Sequence, residues 1–349
     1  MLKNFLVTSN QTIKKSMQLI NKNSHRCLIV VDNSNKMLGT LSDGDIRSAL
    51  LKKNDLNKKI STIYNKNAKF VFNNNYSKEK IKNLLKNESY TIVPILNKDK
   101  TVFDVTHREK VFEKNKLKHN KLNAPVVIMA GGEGTRLLPF TKVLPKPLIP
   151  IKGKPVIEHI MEKFISFGIN DFIFTINHKA EIVKAYFSEL KSNSKIRFVE
   201  ESFPLGTIGS IKFLEKKIKK DFFVANCDTI ADIDYKDLYL FHKKNLNSIT
   251  IVASAKEHQV PYGVCDLNNK GFLISIKEKP KFNFLANTGI YVLSPNVFKL
   301  IPKKKKFHFT NLISASKRKN FKIGVYPIDD NLWFDVGQWS ELKKVVDFL

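Results

Sequence analysis

From Ala124 onward, short apolar runs alternate with amphipathic stretches in a fixed order: PVVIMA, VIEHIMEKFISFG, DFIFTIN, AEIVKAYFSEL, KIRFVEE, GSIKFLEKKI and DFFVANCDT. Apolar runs of this length without polar alternation are strands buried on both faces, and the 3.6-residue periodicity between them marks the helices that cover them. The order predicts an open, mostly parallel α/β sheet of the Rossmann-like kind, with helices on both sides. In such sheets ligands bind beyond the carboxyl ends of the strands. A site is therefore expected in the segment that directly follows PVVIMA.

That segment is GGEGTRLLPFTKVLPKPL, Gly131 to Leu148. A P-loop needs Gly-Lys followed by Ser or Thr, which this chain lacks. A dinucleotide-binding turn needs three spaced glycines opening a helix, but Gly132 and Gly134 are followed by Leu137, and Pro139, Pro145, Pro147 and Pro150 forbid a regular helix. What remains is a long, proline-stiffened loop. Its early amides at Gly131, Gly132 and Gly134 can approach a polyphosphate, and Arg136 and Lys146 add full positive charges.

The chain has 349 residues, enough for two domains, and a formal net charge of +28. Such a charge ordinarily points to nucleic acid or an anionic membrane. Here only six of the 60 basic residues are Arg and the lysines are spread along the whole length. A nucleic-acid reader favours clustered Arg, whose planar fork binds base edges and phosphates bidentately. The lysines therefore read as solvated faces that attract anionic small substrates, and no nucleic-acid partner is expected. Cys27, Cys227 and Cys265 are odd in number and lack metal-ligand spacing. With no apolar leader and no apolar run near 18 residues, the chain reads as cytoplasmic, without membrane insertion.

Residues 1–118 contain an internal repeat. RCLIVVDNSNKMLGTLSDGDIRSAL (Arg26 to Leu50) and YTIVPILNKDKTVFDVTHREKVF (Tyr90 to Phe112) both read strand, turn, strand, helix. At an offset of 64, Leu28 matches Ile92, Ser42 matches Thr106 and Asp45 matches Glu109. Gly39 to Ile46 resembles a CBS domain, and the repeat resembles a CBS pair, forming a smaller α+β module. The resemblance implies an adenine-nucleotide site holding phosphate or ribose through Ser42 and Asp45, in a regulatory or dimerising module that makes the protein a homo-oligomer. The second copy departs from the pattern at Phe103 and Glu109, so at most one competent site is expected. Ser42 and Asp45 also suit a purely structural helix cap. A polar stretch around residues 119–124 is expected to link this module to a second domain, 125–349.

The second domain carries the stronger resemblance. GGEGTRLLPFTKVLPKPL reproduces the pattern GGxGTRLxPxTxxxPKPL and is similar to the signature of sugar-1-phosphate nucleotidylyltransferases. PLGTIGS, VANCDT, PYGVCD, IKEKP, ANTGIYVL and WFDVGQW follow in that family's order. The resemblance implies the nucleotide-diphospho-sugar transferase fold and Mg²⁺ held by Asp228 and Asp335. It implies nucleotide contacts from Gly131, Gly132, Gly134, Thr135, Gly206 and Thr207, and sugar-phosphate contacts from Gly263, Glu278, Lys279, Asn287 and Thr288. Arg136, Lys146 and Asp228 are the expected catalytic residues. Cys227 and Leu138 depart from the family's commoner Gly and Arg.

Taken singly, Asp228 reads as a turn residue, Glu278 and Lys279 as a surface charge pair, Asn287 as a turn former and Asp335 as the cap of a final helix; the ordered set favours the functional reading. A non-catalytic nucleotide-sensing homologue is the rival, and the retained charges at 136, 146, 228 and 335 argue against it. The combination of a CBS pair and a short transferase resembles guanylyltransferases of bacterial surface-sugar synthesis. It implies GTP with glucosamine 1-phosphate, as in legionaminic acid synthesis. Mannose 1-phosphate comes next, and thymidylyl or uridylyl transfer to glucose 1-phosphate after that.

Overall fold

A computed structural model describes residues 2–23, 25–52, 55–86, 90–111 and 122–337. Residues 119–121 of the expected linker and the expected final helix in 338–349 lie outside the described residues. The chain divides into two compact units, Met1–Lys118 with Glu257–Phe284, and His119–Lys256 with Leu285–Leu349.

The second unit is built on a seven-stranded sheet. Its strands are β1 (Val126–Met129), β2 (Asp171–Ile176), β3 (Lys195–Glu200), β4 (Phe222–Asn226), β5 (Ile249–Gln259), β6 (Lys281–Leu293) and β7 (Ile323–Asp329). The spatial order is β3-β2-β1-β4-β6-β5-β7. β1, β2, β3 and β4 pair in parallel and so do β5 and β7, whereas β6 lies antiparallel to β4. Strand alternation separates the two cores. Val126 and Ile128 join Phe172, Phe174 and Phe223 with Ile160 and Phe164 of α1 (Val156–Ile165), Val183 of α2 (Ala180–Glu189) and Leu238 of α3 (Tyr235–Lys244). Val127 points the other way, with Ile173 and Val224, into a cluster containing Leu312 of α4 (Phe309–Arg318) and Phe298 of the 3₁₀ helix Pro295–Leu300.

GSIKFLEKKI was expected to be a helix on its apolar spacing. Only Gly209–Leu214 forms a 3₁₀ helix. Its entry residue Ile208 has φ −148°, and its N–H donates to the Phe307 carbonyl at 3.2 Å, which ties the segment to a neighbouring loop instead of an upstream helical turn.

His242 of α3 is almost fully buried, with Nδ1 2.8 Å from Thr250 Oγ1 and Nε2 3.0 Å from Ser294 Oγ. Burial, the largest influence, pulls its pKa from 6.5 down to about 4, against Asp221 and with Lys243. The imidazole is neutral in both states above about pH 6.5, so stability there is unaffected. As pH falls from 6.5 towards 4, the unfolded chain takes up the proton and the folded chain does not, so stability falls across that window. His242→Gln should flatten the dependence of unfolding free energy on pH by up to about one proton between pH 6.5 and 4, measured by urea titrations at a series of pH values.

In the first unit the two repeats have the same topology. Leu6–Thr8 pairs in parallel with Cys27–Val31, which pairs antiparallel with Met37–Ser42; Val71–Phe72, Ile92–Leu96 and Val102–His107 repeat this. The offset is 65 residues, one more than apolar similarity suggests. Leu28 pairs with Leu41 and Val93 with Thr106, and both hairpins shift register at the same step, Val30/Val31 and Ile95/Leu96. Leu28 thus matches Val93, Ser42 matches His107, Gly39 matches Asp104 and Asp45 matches Lys110; Phe103 and Glu109 are not the departures they seemed. In Met37–Ser42 the buried Gly39 and Leu41 alternate with half-buried neighbours, and a slip of one residue would exchange the two faces, so the structure fixes the register where sequence similarity does not. Two bonds confirm the symmetry: Met37 N–H donates to Lys100 O and Val102 N–H to Asn35 O, both at 3.0 Å, each the other's image under the 65-residue shift. The repeats share one core, with Cys27, Ile29 and Val31 against Ile92, Leu96 and Val105.

Candidate functional site

The signature loop leaves β1 at its carboxyl end, as the sheet rule predicts. Ala130 N–H is the last to bond along the sheet, donating to Thr175 O at 2.9 Å. The chain then folds into three short 3₁₀ helices, Thr135–Leu137, Phe140–Lys142 and Lys146–Leu148. Gly134 has φ 70°, and a Cβ there would lie 2.8 Å from Thr141 Cγ2 and 3.2 Å from Lys146 Cβ, so only glycine fits without displacing the turn that carries Lys146. Thr141 Oγ1 donates to Gly134 O at 3.0 Å and closes the loop on itself. Gly132 and Thr135 are exposed. Lys179 also holds the loop, its ammonium donating to Thr141 O at 2.9 Å and Lys142 O at 2.6 Å.

Asp228 follows β4, and Asp335 ends the short strand Trp333–Asp335, whose antiparallel partner Thr229–Ala231 sets Thr229 opposite Asp335. Val336 N–H donates to Asp228 O at 2.8 Å and Gly337 N–H to Asp335 Oδ1 at 2.9 Å. This backbone pairing brings together two carboxylates 107 positions apart in the chain. Lys146 Nζ is ion-paired to Asp228 Oδ2, and Arg136 Nη1 lies 4.0 Å from Asp335 Oδ2. The convergence is tightest beside Gly337, where a Cβ would lie against Asp228 Oδ2, 2.9 Å from Asp335 Oδ1 and 3.1 Å from Lys146 Nζ. Gly337 keeps this space open.

Burial, the largest influence on Lys146, lowers its pKa, but the Asp228 carboxylate, with Cys227, outweighs burial and the net shift is upward. Lys146 is thus a fixed cation at neutral pH. Burial, with Asp228 beside it, pushes the Cys227 thiol up to about 12, which makes it an inert packing residue.

Gly206 and Thr207 lie in a loop laced to Phe307–Phe309: Phe307 N–H donates to Leu205 O at 2.8 Å, and Phe309 N–H donates to Thr207 Oγ1 at 2.9 Å. Thr207 is thereby occupied at the start of α4. Buried Glu201 connects this loop to the signature loop. Its Oε2 accepts from Leu205 N–H at 2.9 Å, and its Oε1 lies 3.2 Å from where a Cβ on Gly131 would be.

Asn287 donates to Tyr291 Oη at 2.8 Å and accepts from Gly289 N–H at 3.2 Å. Thr288 is 2% exposed, and its hydroxyl donates to Val252 O at 2.9 Å inside the sheet. Its position on β6 points it into the core, while the preceding residue, Asn287, is exposed.

Gly263, Glu278 and Lys279 belong to the first unit. Glu278 Oε2 lies 3.0 Å from where a Cβ on Gly263 would be, and Lys279 has φ 45°. Ser42 and Asp45 are turned on each other. The Asp45 carboxylate accepts from the Ser42 N–H at 2.8 Å and hydroxyl at 2.7 Å, and Ser42 Oγ accepts from Asp45 N–H at 3.2 Å, forming a capping box on helix Asp43–Leu51.

Sequence reasoning did not assign Lys179, Glu201 or Gly337. The first two carry no local signal, whereas Gly337 stands inside WFDVGQW.

The groups beside Gly337 suit Mg²⁺. It prefers oxygen ligands and is ordinarily held by one or two carboxylates together with substrate phosphates, a donor set that Asp228 and Asp335 supply in part. Among the described residues no cluster of three or more His, Cys, Asp or Glu is placed to hold a metal unaided.

The chain belongs to the nucleotidyl transferase family, whose model matches residues 125–349. Residues 1–52 match the CBS domain. The chain is 34% identical over 226 residues to the mannose-1-phosphate guanyltransferase of Hypocrea jecorina, covering 61% of this chain and 60% of that one. It is 37% identical over 228 residues to the mannose-1-phosphate guanyltransferase of Yarrowia lipolytica, covering 61% and 60%. It thus spans about three fifths of the length of these curated relatives. HddC from Yersinia pseudotuberculosis superposes with a TM-score of 0.51 at 29% identity, over 64% of this chain and 99% of that one. A structure of HddC complexed with GMP-PN gives 0.50 over 64% and 99%, also at 29% identity. Among the described residues no helix is long and apolar enough to cross a membrane.

Proposed function

We propose that this chain joins a nucleoside triphosphate to a sugar 1-phosphate, releasing pyrophosphate and an NDP-sugar. The observation that carries the reading is the convergence of Lys146, Asp228 and Asp335 beside Gly337, at the end of the loop that bears Arg136. A phosphate monoester has a second pKa of about 6 and is already a nucleophile at neutral pH, so no general base is required. Its oxygen attacks the α-phosphorus, and the bond from that phosphorus to the bridging oxygen breaks, so that pyrophosphate leaves. Two polyanions must meet while charge grows on the leaving group, and positioning with electrostatic compensation supplies the catalysis.

Lys146 lies against the α-phosphate and the incoming monoester, Arg136 on the β- and γ-phosphates, with glycine amides 131, 132 and 134 along the chain of phosphates. Asp228 and Asp335 would hold Mg²⁺, which would supply neutralisation and orientation of the phosphates.

GTP is the favoured nucleotide, supported by the relatives named guanyltransferases and by the HddC complex with GMP-PN. The names of the relatives support mannose 1-phosphate ahead of glucosamine 1-phosphate, reversing the order the sequence suggested. Synthesis of a surface polysaccharide in the cytoplasm is the setting this reading suits. The front module, residues 1–118, is assigned to dimerisation and nucleotide sensing, read out as a change of initial rate when adenine nucleotides are titrated. Pyrophosphate release should be measured for the four nucleoside triphosphates against mannose, glucosamine and glucose 1-phosphates. The largest kcat/KM is expected for GTP with mannose 1-phosphate; no release in any combination would end the proposal.

A further inference from the structure

Glu257 stands where β5 passes into the segment that carries Gly263, Glu278 and Lys279, and it is bonded to two residues of the front half of the chain. Its Oε1 accepts from Lys14 Nζ at 3.0 Å and lies 3.3 Å from Lys281 Nζ; its Oε2 accepts from Asn57 Nδ2 at 3.1 Å. The Glu257 side chain is 10% exposed. Lys14 and Asn57 are presented together by one local structure: Lys14 opens the helix Ile13–Asn23, and its N–H donates to Leu56 O at 2.9 Å. A second bond runs parallel, from Asn283 Nδ2 to Asp55 Oδ1 at 2.6 Å. The ion pair with Lys14, ahead of opposing burial, and the bonds from Asn57 and Lys281 bring the Glu257 carboxyl down to about 2, so its charge is present throughout the neutral range.

The clamp lies two residues from the base of the sugar-phosphate segment. Val260 N–H donates to Pro280 O at 3.0 Å and Gln259 Nε2 to Lys279 O at 3.5 Å, so the strand leaving Glu257 holds the carbonyls of Lys279 and of the residue after it. Lys279 keeps φ 45°, a left-handed conformation costly for a residue with a Cβ, which persists only where the surroundings enforce it.

We propose that Glu257 is a positioning residue through which the front module, by way of Lys14 and Asn57, sets Lys279 and Glu278 for the sugar 1-phosphate. The inference rests on the reading of Glu278 and Lys279 as sugar-phosphate contacts. It gives the front module a part in substrate recognition that needs no nucleotide of its own.

The test is steady-state kinetics on the full chain with Glu257→Gln, Lys14→Ala, Lys14→Arg and Lys279→Ala, varying each substrate in turn. Glu257→Gln removes the charge and keeps the shape, and Lys14 is exposed enough for truncation to leave the fold intact, which a thermal melt verifies. Both Glu257→Gln and Lys14→Ala should raise the KM for the sugar 1-phosphate about tenfold, with kcat and the KM for the nucleotide within about twofold of the parent. Lys14→Arg keeps the charge and should restore the parental value. Parental sugar KM in Lys14→Ala and Glu257→Gln, or an equal rise in the nucleotide KM, overturns the inference. If Lys279→Ala raises the sugar KM while those two do not, the clamp alone fails. If Lys279→Ala leaves it unchanged, the sugar-phosphate reading fails and the inference falls with it.

Discussion

Lys146→Ala is expected to lower kcat/KM about 10³-fold, mostly through kcat, with the far-ultraviolet circular dichroism unchanged. The side chain is 14% exposed, and its ammonium is kept charged by Asp228. Its role is to meet charge that grows as the pyrophosphate bond breaks, and loss of one preorganised donor of that kind costs about 10²- to 10³-fold. The effect exceeds that expected for exposed Arg136, 61% accessible and 4.0 Å from its carboxylate. Lys146→Arg should not restore activity, because the space beside Gly337 accepts a point charge but not a planar fork. Pre-steady-state pyrophosphate release separates this from weakened binding. A variant that releases pyrophosphate at the parental rate contradicts the assignment.

Gly337→Ala should have the second-largest effect, about a hundredfold loss of turnover and a raised half-activating Mg²⁺ concentration. The added methyl meets Asp228 Oδ2, Asp335 Oδ1 and Lys146 Nζ together, and each of these is fixed by backbone pairing or an ion pair. Gly337 is not among the glycines with positive φ, so the backbone accepts alanine and the fold should survive; the cost falls on the space between the carboxylates. A Mg²⁺ titration of initial rate beside a thermal melt checks both halves of the prediction. Parental turnover with alanine at this position would mean that the carboxylates are not held together.

Features written contiguously in the chain were legible from sequence. The apolar runs defined β1 to β4, and the prolines of the signature loop were enough by themselves to rule out a regular helix there. The meeting of Asp228 with Asp335 was suggested by resemblance alone, because their apposition depends on a two-strand pairing that no local pattern reveals. The repeat was visible, but its offset was one residue short: apolar similarity tolerates a slip, whereas the buried Leu28–Leu41 and Val93–Thr106 pairs do not. In GSIKFLEKKI helical spacing was outweighed by the bond from Ile208 to Phe307. Thr288, expected among the sugar-phosphate contacts, has its hydroxyl bonded to Val252 O, a partner 36 positions away that no local pattern reveals. The Glu257 clamp was invisible in sequence, since its partners lie 243 and 200 positions away.

The most direct test of the central claim is a product measurement on the purified chain with GTP, mannose 1-phosphate and Mg²⁺. Mass spectrometry of the nucleotide product, paired with a pyrophosphate assay, should find GDP-mannose and pyrophosphate in equal amounts, with none formed when the sugar phosphate is omitted. Pyrophosphate accompanied by GMP and no nucleotide sugar, or no turnover with any nucleoside triphosphate and sugar 1-phosphate, would contradict the account.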